Sequence, residues 1–259
     1  MINLGDKRNE TFITDKVIFR AELRRLMDSY SELTAFNFFK LVHAAYDKAI
    51  GDLYEKKCIF YHIHTPDTYA QLNFVQSVPD AHWMMMVREP VQSCESWIRG
   101  SFEDKKYPEM VNKILSSLFE VDNIIYHKRN ALGVRLEDLK EFPDRTIPAL
   151  CAWMGIEETP SLYEMTAQGK KWWGDPTSLD YSVDGMEPFG KTSVNRKVGS
   201  IFSANDQFIL RTLFYPFSVR FSYAEADWPQ FEADLEKVRP MLNQLFDFES
   251  VLIERPKLS

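Results

Sequence analysis

An arginine and two serines follow a continuous apolar run near the middle of the chain. The run spans residues 82–87, Arg88 comes directly after it, and Ser93 and Ser96 lie three residues apart in the segment that Pro90 opens. Such a run is typical of a strand buried on both faces of a parallel sheet, and proline suits the first turn of a helix. Arg88 is therefore predicted at the carboxyl end of a strand, beside a helix N-terminus. A guanidinium, a hydroxyl and a helix dipole together would suit a phosphate group.

The same arginine has a second interpretation. Two carboxylates are close in sequence, Glu89 and Glu95, and a surface ion pair with either would need no ligand. The local pattern leaves both interpretations open.

Two histidines, His62 and His64, form a second candidate group at the end of the apolar run Cys58–Ile63, which is of strand type. A histidine titrates near neutral pH and can take a proton from an acceptor hydroxyl. His64 is the stronger candidate for a general base. The alternative is a histidine that only forms local hydrogen bonds at the end of a strand.

A third group is basic and comes late in the chain. Between residues 188 and 220 there are five basic residues against the single acid Asp206, although the whole chain is acidic. The basic residues are Lys191, Arg196, Lys197, Arg211 and Arg220. Residues 168–200 show no period and are predicted to form a long loop, in which Trp172 and Trp173 are expected to hold the loop on the core rather than to line an acceptor pocket.

In their order, these segments resemble the sulfotransferase superfamily, which transfers sulfuryl groups from 3′-phosphoadenosine 5′-phosphosulfate (PAPS). Arg88-Glu89-Pro90 with Ser96 keeps the family's spacing of an arginine and a serine eight residues later. Pro79–Trp83, Val134–Leu139 and Leu150–Ile156 are similar to three further family segments. The resemblance covers residues 58–223 and implies the P-loop-kinase-like fold of sulfotransferases.

The resemblance also implies roles for particular residues. Arg88 and Ser96 would bind the 3′-phosphate of the nucleotide, and Arg196, Lys197 and Gly199 would belong to the basic loop that closes over it. His64 falls on the position either of the general base or of the lysine that approaches the sulfonate. The acceptor would be a hydroxyl or amine of a small molecule or carbohydrate, PAPS would be the cosubstrate, and no metal is expected.

One family feature is missing from the sequence. Residues 1–16 contain only Gly5 and no Gly-Thr or Gly-Ser before a helix, whereas the family begins with a strand and a loop whose amides bind the 5′-phosphosulfate. We therefore expect an N-terminally incomplete fold, weak binding of the bisphosphate product and little sulfuryl transfer. A catalytically inactive nucleotide-binding or interaction module, and an unrelated α/β phosphate-binding enzyme, remain alternatives.

The elements that must position these residues alternate between strand and helix. Apolar residues at helical spacing predict helices over residues 16–56, which Gly51 would interrupt, and from Pro108 onward. Further helices are predicted over 68–76, from Pro90, over 144–154 and after the capping signal Ser203–Asp206, and strand-type runs, including residues 133–136, lie between the earlier helices. This order predicts an α/β fold with a parallel sheet flanked by helices. We expect a single domain over residues 1–259, with a helical lead-in over 1–56 and a C-terminal helix over 224–259.

Composition excludes several classes of protein. The 259 residues carry a net charge of −7 and an ordinary globular share of apolar residues, 45%, so the chain is neither disordered nor a polybasic nucleic-acid binder. Three scattered cysteines predict a reducing compartment. No apolar stretch is long enough to span a membrane and no secretory signal is present. The sequence thus predicts a cytoplasmic protein without nucleic-acid or membrane partners.

Overall fold

A computed structural model describes residues 3–52, 54–63, 68–128, 130–178, 181–192 and 194–253. The chain forms two compact units: one comprises Met1–Ala81 and Ile147–Gly190, and the other comprises His82–Thr146 and Lys191–Ser259. Within the described residues, no helix combines the length and the apolar character that crossing a bilayer requires.

The described residues form eleven α-helices and two small sheets. The helices are α1 (Lys16–Met27), α2 (Ala35–Ile50), α3 (Thr68–Ser77), α4 (Pro90–Glu103), α5 (Tyr107–Phe119), α6 (Leu136–Glu141), α7 (Pro143–Met154), α8 (Ala204–Leu213), α9 (Tyr215–Arg220), α10 (Trp228–Met241) and α11 (Asp247–Ile253). The strands are β1 (Trp83–Val87), β2 (Ala131–Arg135), β3 (Thr166–Ala167) and β4 (Lys170–Lys171).

In the first unit, the predicted helical lead-in is a pair of packed helices, α1 and α2. The side chain of Thr34 accepts a hydrogen bond from the amide of Asn37 and so caps the start of α2. Gly51 ends α2 in the left-handed conformation, at φ +75°, which glycine adopts without steric cost. The interruption that Gly51 suggests in the sequence is therefore the C-terminus of a helix.

The strand predicted at Cys58–Ile63 is wrong. These residues have no regular secondary structure, and Phe60 is 69% exposed. The ring of Tyr61 instead contacts the rings of Phe39 and Phe74, at centroid distances of 5.3 and 5.2 Å. No strand pairs with the segment among the described residues, and an apolar run without a neighbouring strand cannot satisfy its backbone as a sheet.

In the second unit, β1 and β2 pair in parallel, with Trp83 opposite Ala131 and Val87 opposite Arg135. The chain between them includes α4 and α5. This pairing confirms the predicted mixture of helices with a parallel sheet. Because the two strands end side by side, Arg88 and the first residues of α6 follow at the same edge of the sheet.

The prediction that residues 82–87 are buried on both faces is wrong for the end of the strand. Val87 is 5% exposed, whereas Met86 is 50% exposed. Successive side chains of a strand point to opposite faces, so only one face is covered there. An apolar run does not reveal whether a second layer covers it.

The core of the second unit lies where α4, α5, α8 and α11 meet. Its buried members are Val91, Cys94, Ile98, Met110, Phe202, Leu210, Phe214 and Phe248. The helix start predicted at Ser203 is confirmed, since Ser203 and Asp206 form a reciprocal capping box at the beginning of α8.

The single C-terminal helix predicted over residues 224–259 is two helices in the described part, α10 and α11, and residues 254–259 lie outside it. Pro240 lies in the last turn of α10 and cannot donate to the carbonyl of the preceding turn, which weakens the helix where it ends. The buried carboxylate of Asp206 accepts hydrogen bonds from the amides of Asp247 and Phe248, at 2.8 and 3.1 Å. A distant side chain therefore caps the second helix.

Candidate functional site

Arg88 lies at the carboxyl end of β1, as the sequence predicts, and α4 begins two residues later at Pro90. Its side chain is half-buried, and its Nε donates a hydrogen bond to Oε1 of Gln92 at 2.9 Å. The carboxylate of Glu95, one of the two partners that a surface ion pair would use, is engaged elsewhere.

The basic loop that comes late in the chain also lies beside Arg88 and α4. We use the name 194–202 loop for residues 194–202, which have no regular secondary structure. Gln92 Nε2 donates to the carbonyl oxygens of Val194, at 3.1 Å, and of Arg196. Arg196 Nη1 donates to Oγ of Ser96 at 2.9 Å. Three of the five residues predicted to bind nucleotide, Arg88, Ser96 and Arg196, thus lie together beside α4.

The electrostatics of this group are those of crowded cations. Burial and the positive charge of Arg196 lower the pKa of Arg88, and the opposing effects of Glu137 and Glu89 do not cancel them. The charged form of Arg88 is therefore less stable at this position than it would be in water. An anion placed between the two guanidiniums would relieve their repulsion. We name Arg88, Ser96 and Arg196 the arginine cluster.

The two remaining predicted residues of the loop lie differently. Lys197 is exposed. Gly199 has φ +119°, a conformation that favours glycine, and its N–H donates to Oε2 of Glu95 at 3.0 Å. The serine at position 93 is exposed, so Ser96 is the serine of the pair that contacts the loop.

The sequence analysis did not predict the hydrogen-bond network around Glu95. This residue is 2% exposed, and its carboxylate accepts hydrogen bonds from four successive backbone amides, those of residues 199–202, at 3.0 to 3.3 Å. Ser200 Oγ donates to it as well, at 2.8 Å. Burial alone would raise the pKa of Glu95, but these hydrogen bonds outweigh it and lower the pKa.

A further carboxylate stands beside Arg88. Glu137 Oε1 accepts from the amide of Glu89 at 3.1 Å, and Oε2 accepts from the hydroxyl of Tyr223 at 2.7 Å. Burial and this hydrogen bond raise the pKa of Tyr223 far above its ordinary value. The segment Val134–Leu139 therefore lies next to the arginine cluster. Its position at the end of a second predicted strand was the feature of the sequence that indicated this location.

The two candidate histidines are not among the residues that form the arginine cluster. His64 lies outside the described residues. His62 is exposed and belongs to the first unit. The role of general base at His64 stays a prediction.

The paired tryptophans hold the chain together within the first unit. Trp173 Nε1 donates to the carbonyl oxygen of Gly5 at 2.8 Å. The cationic groups of Arg8 and Lys171 lie 3.9 and 3.6 Å from the centre of its ring. Trp172 pairs with Leu4 through the backbone. The expected role in holding the loop therefore agrees with the contacts.

Other places for a ligand are less specific. A cavity of about 570 Å³ in the first unit is lined by cationic, acidic and aromatic side chains, including Lys40, Asp47 and Phe60. A smaller one of about 260 Å³ in the second unit is lined by residues that include Arg211, Tyr215 and Phe231. Neither is lined by the arginine cluster. Across the described residues, no group of three potential metal ligands was found.

The arrangement can bind an anion in a defined orientation. Two guanidiniums supply planar sets of N–H donors, and the hydroxyl of Ser96 supplies one more. No protein-family model, no curated protein and no solved structure matches this chain.

Proposed function

We propose that the chain is a PAPS-dependent sulfotransferase and that the arginine cluster binds the 3′-phosphate of the nucleotide. The observation that carries the proposal is the hydrogen bond from Arg196 to Ser96, 2.9 Å long, made beside Arg88. It joins two segments about a hundred residues apart that resemble the two parts of the family's 3′-phosphate site.

The chemistry of the cluster favours a phosphate monoester. Such a group carries nearly two negative charges at neutral pH, which matches the two guanidiniums of Arg88 and Arg196. Guanidinium forks bind phosphate oxygens in pairs. The parallel pairing of β1 with β2 further supports the proposal, because it places the resembling segment Val134–Leu139 at the same sheet edge.

The proposed reaction is an in-line displacement at sulfur. The oxygen or nitrogen of the acceptor forms a bond to sulfur while the bond from sulfur to the 5′-phosphate oxygen breaks. The products are the sulfated acceptor and adenosine 3′,5′-bisphosphate. The proton of the acceptor would pass to His64, the expected general base.

A binding experiment tests the phosphate site. Calorimetric titration compares adenosine 3′,5′-bisphosphate with adenosine 5′-monophosphate, which lacks the 3′-phosphate. We expect the bisphosphate to bind at least tenfold more tightly, and the double variant Arg88→Ala/Ser96→Ala to lose this preference. Arg239→Ala serves as control, since this side chain is exposed and, among the described residues, forms its ion pair with Glu236 of the same helix. Equal affinities for the two nucleotides would contradict the assignment.

A turnover experiment separates the enzyme from an inactive binding module. The chain is incubated with PAPS labelled on sulfur and a panel of phenols, alcohols, amines and sugars. Because residues 1–16 lack the glycine-containing loop of the family, we expect specific nucleotide binding and only weak transfer. Transfer that His64→Ala lowers by roughly 10²-fold or more would support the enzyme and its base. Specific binding with no transfer to any acceptor would assign the inactive module.

A further inference from the structure

The carboxylate of Glu95 is bound as a ligand would be. Four consecutive N–H groups, those of residues 199–202, point at its two oxygens, and we name them the amide nest. Successive backbone amides that converge in this way form an anion site. In this chain the anion is internal, because it comes from α4.

The amide nest is directly connected to the arginine cluster. Glu95 and Ser96 are neighbours on α4, and each holds a different part of the 194–202 loop: Glu95 holds the nest and Ser96 accepts from Arg196. Since only two residues separate Arg196 from Gly199, fixing the nest restricts where the guanidinium can lie.

Charge makes this carboxylate necessary. The loop carries Arg196 and Lys197, and the neighbouring side chain on α4 is a third cation, Arg99, which donates to Ser200 Oγ at 2.9 Å. Arg99 Nη2 lies 3.9 Å from Oε1 of Glu95. Without the negative charge of Glu95, Arg99 and the four inward-pointing amides would converge on a site with no anion.

We propose that Glu95 is a positioning residue, an internal anion that fixes the 194–202 loop on α4 and so places Arg196 at Ser96. The effect on nucleotide affinity rests on the function proposed above, whereas the effect on the loop does not.

The test uses the near-isosteric variant Glu95→Gln and the matched control Glu103→Gln, an exposed carboxylate on the same helix. Glutamine keeps the size of the side chain, but its NH₂ group replaces an acceptor and faces backbone donors. We expect the amides of residues 199–202 to exchange hydrogen at least tenfold faster in Glu95→Gln. Glu103→Gln should exchange like the wild type.

Chemical rescue supplies a second readout. Glu95→Ala removes the atoms from Cγ outward, which correspond to one acetate ion. We expect added acetate, but not acetamide, to slow amide exchange in this variant. Acetate-specific recovery would support an internal anion, and equal effects of acetate and acetamide would overturn it.

The affinity for adenosine 3′,5′-bisphosphate separates positioning from mere stability. We expect the dissociation constant to rise about tenfold in Glu95→Gln, as befits a displaced charge-assisted bond, and to recover with acetate in Glu95→Ala. Faster amide exchange with wild-type affinity would overturn the positioning role. If the wild type does not bind the bisphosphate, the proposed function fails, and amide exchange with acetate rescue alone decides the inference.

Discussion

The amide nest and the arginine cluster both contact α4, yet their charges are balanced in opposite ways. In the nest, a buried carboxylate meets five hydrogen-bond donors, and the pKa of Glu95 is lowered. In the arginine cluster, two guanidiniums lie near one another, and the pKa of Arg88 is lowered by burial and by Arg196. The charged form is favoured in the first case and disfavoured in the second.

This difference in charge balance indicates that the amide nest holds the 194–202 loop, whereas the arginine cluster is suited to bind a ligand. A satisfied buried charge stabilises the fold, and removing it leaves its partners unpaired. Crowded like charges do not stabilise the folded chain, and ionisable groups with such shifts concentrate at functional sites. The same helix therefore carries a structural contact at Glu95 and a candidate binding site at Ser96.

The largest expected effect breaks the nest. Glu95→Ala leaves four backbone amides without their acceptor, so we expect the free energy of unfolding to fall by about 3 kcal/mol. Urea denaturation followed by circular dichroism measures it. Glu103→Ala, on the exposed side of the same helix, should change it by less than about 0.5 kcal/mol. A similar loss in both variants would show that the nest contributes nothing special.

A second prediction concerns the arginine cluster. Arg196→Met should weaken binding of adenosine 3′,5′-bisphosphate at least tenfold, because it removes a charge-assisted contact. Its free energy of unfolding should change by less than about 0.5 kcal/mol, since the lost bond to Ser96 is offset by relief of repulsion at Arg88. Calorimetry and urea denaturation measure the two quantities.

The exposed neighbour Lys197 is the matched cation for this test. We expect Lys197→Met to weaken bisphosphate binding less than Arg196→Met does. A larger loss at Lys197 would transfer the main phosphate contact to that residue.

Substitution of Gly199, the glycine of the amide nest, should have a smaller effect on stability, and its direction can be predicted. Gly199→Ala introduces a side chain at φ +119° and should destabilise the protein by about 1 kcal/mol. Gly100→Ala is its counterpart, because Gly100 lies inside α4 and a Cβ there would have no atom within 4 Å. That change should stabilise the protein by about 0.5–1 kcal/mol. Thermal unfolding of both variants would reveal whether the two signs differ.

The smallest expected effect comes from pH. The pKa of Glu95 in the folded chain is lowered, so its contribution is fully present above the ordinary glutamate pKa of about 4.3. It is lost as the pH falls through the lower pKa of the folded state. The difference in unfolding free energy between the wild type and Glu95→Gln should therefore be constant from pH 6 to 5 and shrink at lower pH. A difference that grows on acidification would contradict the assigned ionisation.

Local rules predicted several elements well. Pro90 at the first position of α4, the capping box of Ser203 with Asp206 and the end of α2 at Gly51 all depend on residues within a few positions of one another. The parallel pairing of β1 with β2 followed from the alternation of strands and helices. The position of Arg88 at the end of a strand could be predicted from such short sequence patterns.

Contacts between segments that are distant in the sequence could not be predicted from such local patterns. Residues 58–63 and 82–87 are both short apolar runs, but within the part of the chain that the structure describes only the second meets a partner strand, as β1. The sequence offers Glu95 as a surface partner of Arg88, yet it is buried against a loop more than a hundred residues away. Asp206 caps its own helix, as the sequence predicts, and also caps α11, which it does not predict.

The sequence by itself determined where several helices begin or end, such as α4 at Pro90 and α2 at Gly51, and that β1 and β2 would pair in parallel. Spacing along the chain carries this information because caps, turns and helix faces are set by neighbours within one or two turns. Only the tertiary structure decided that Glu95 would be buried, that Arg196 would reach Ser96, and that the amides of residues 199–202 would converge on one carboxylate. Those contacts depend on the burial of polar groups brought together from distant segments, and a buried charge persists only where its hydrogen-bond partners arrive with it.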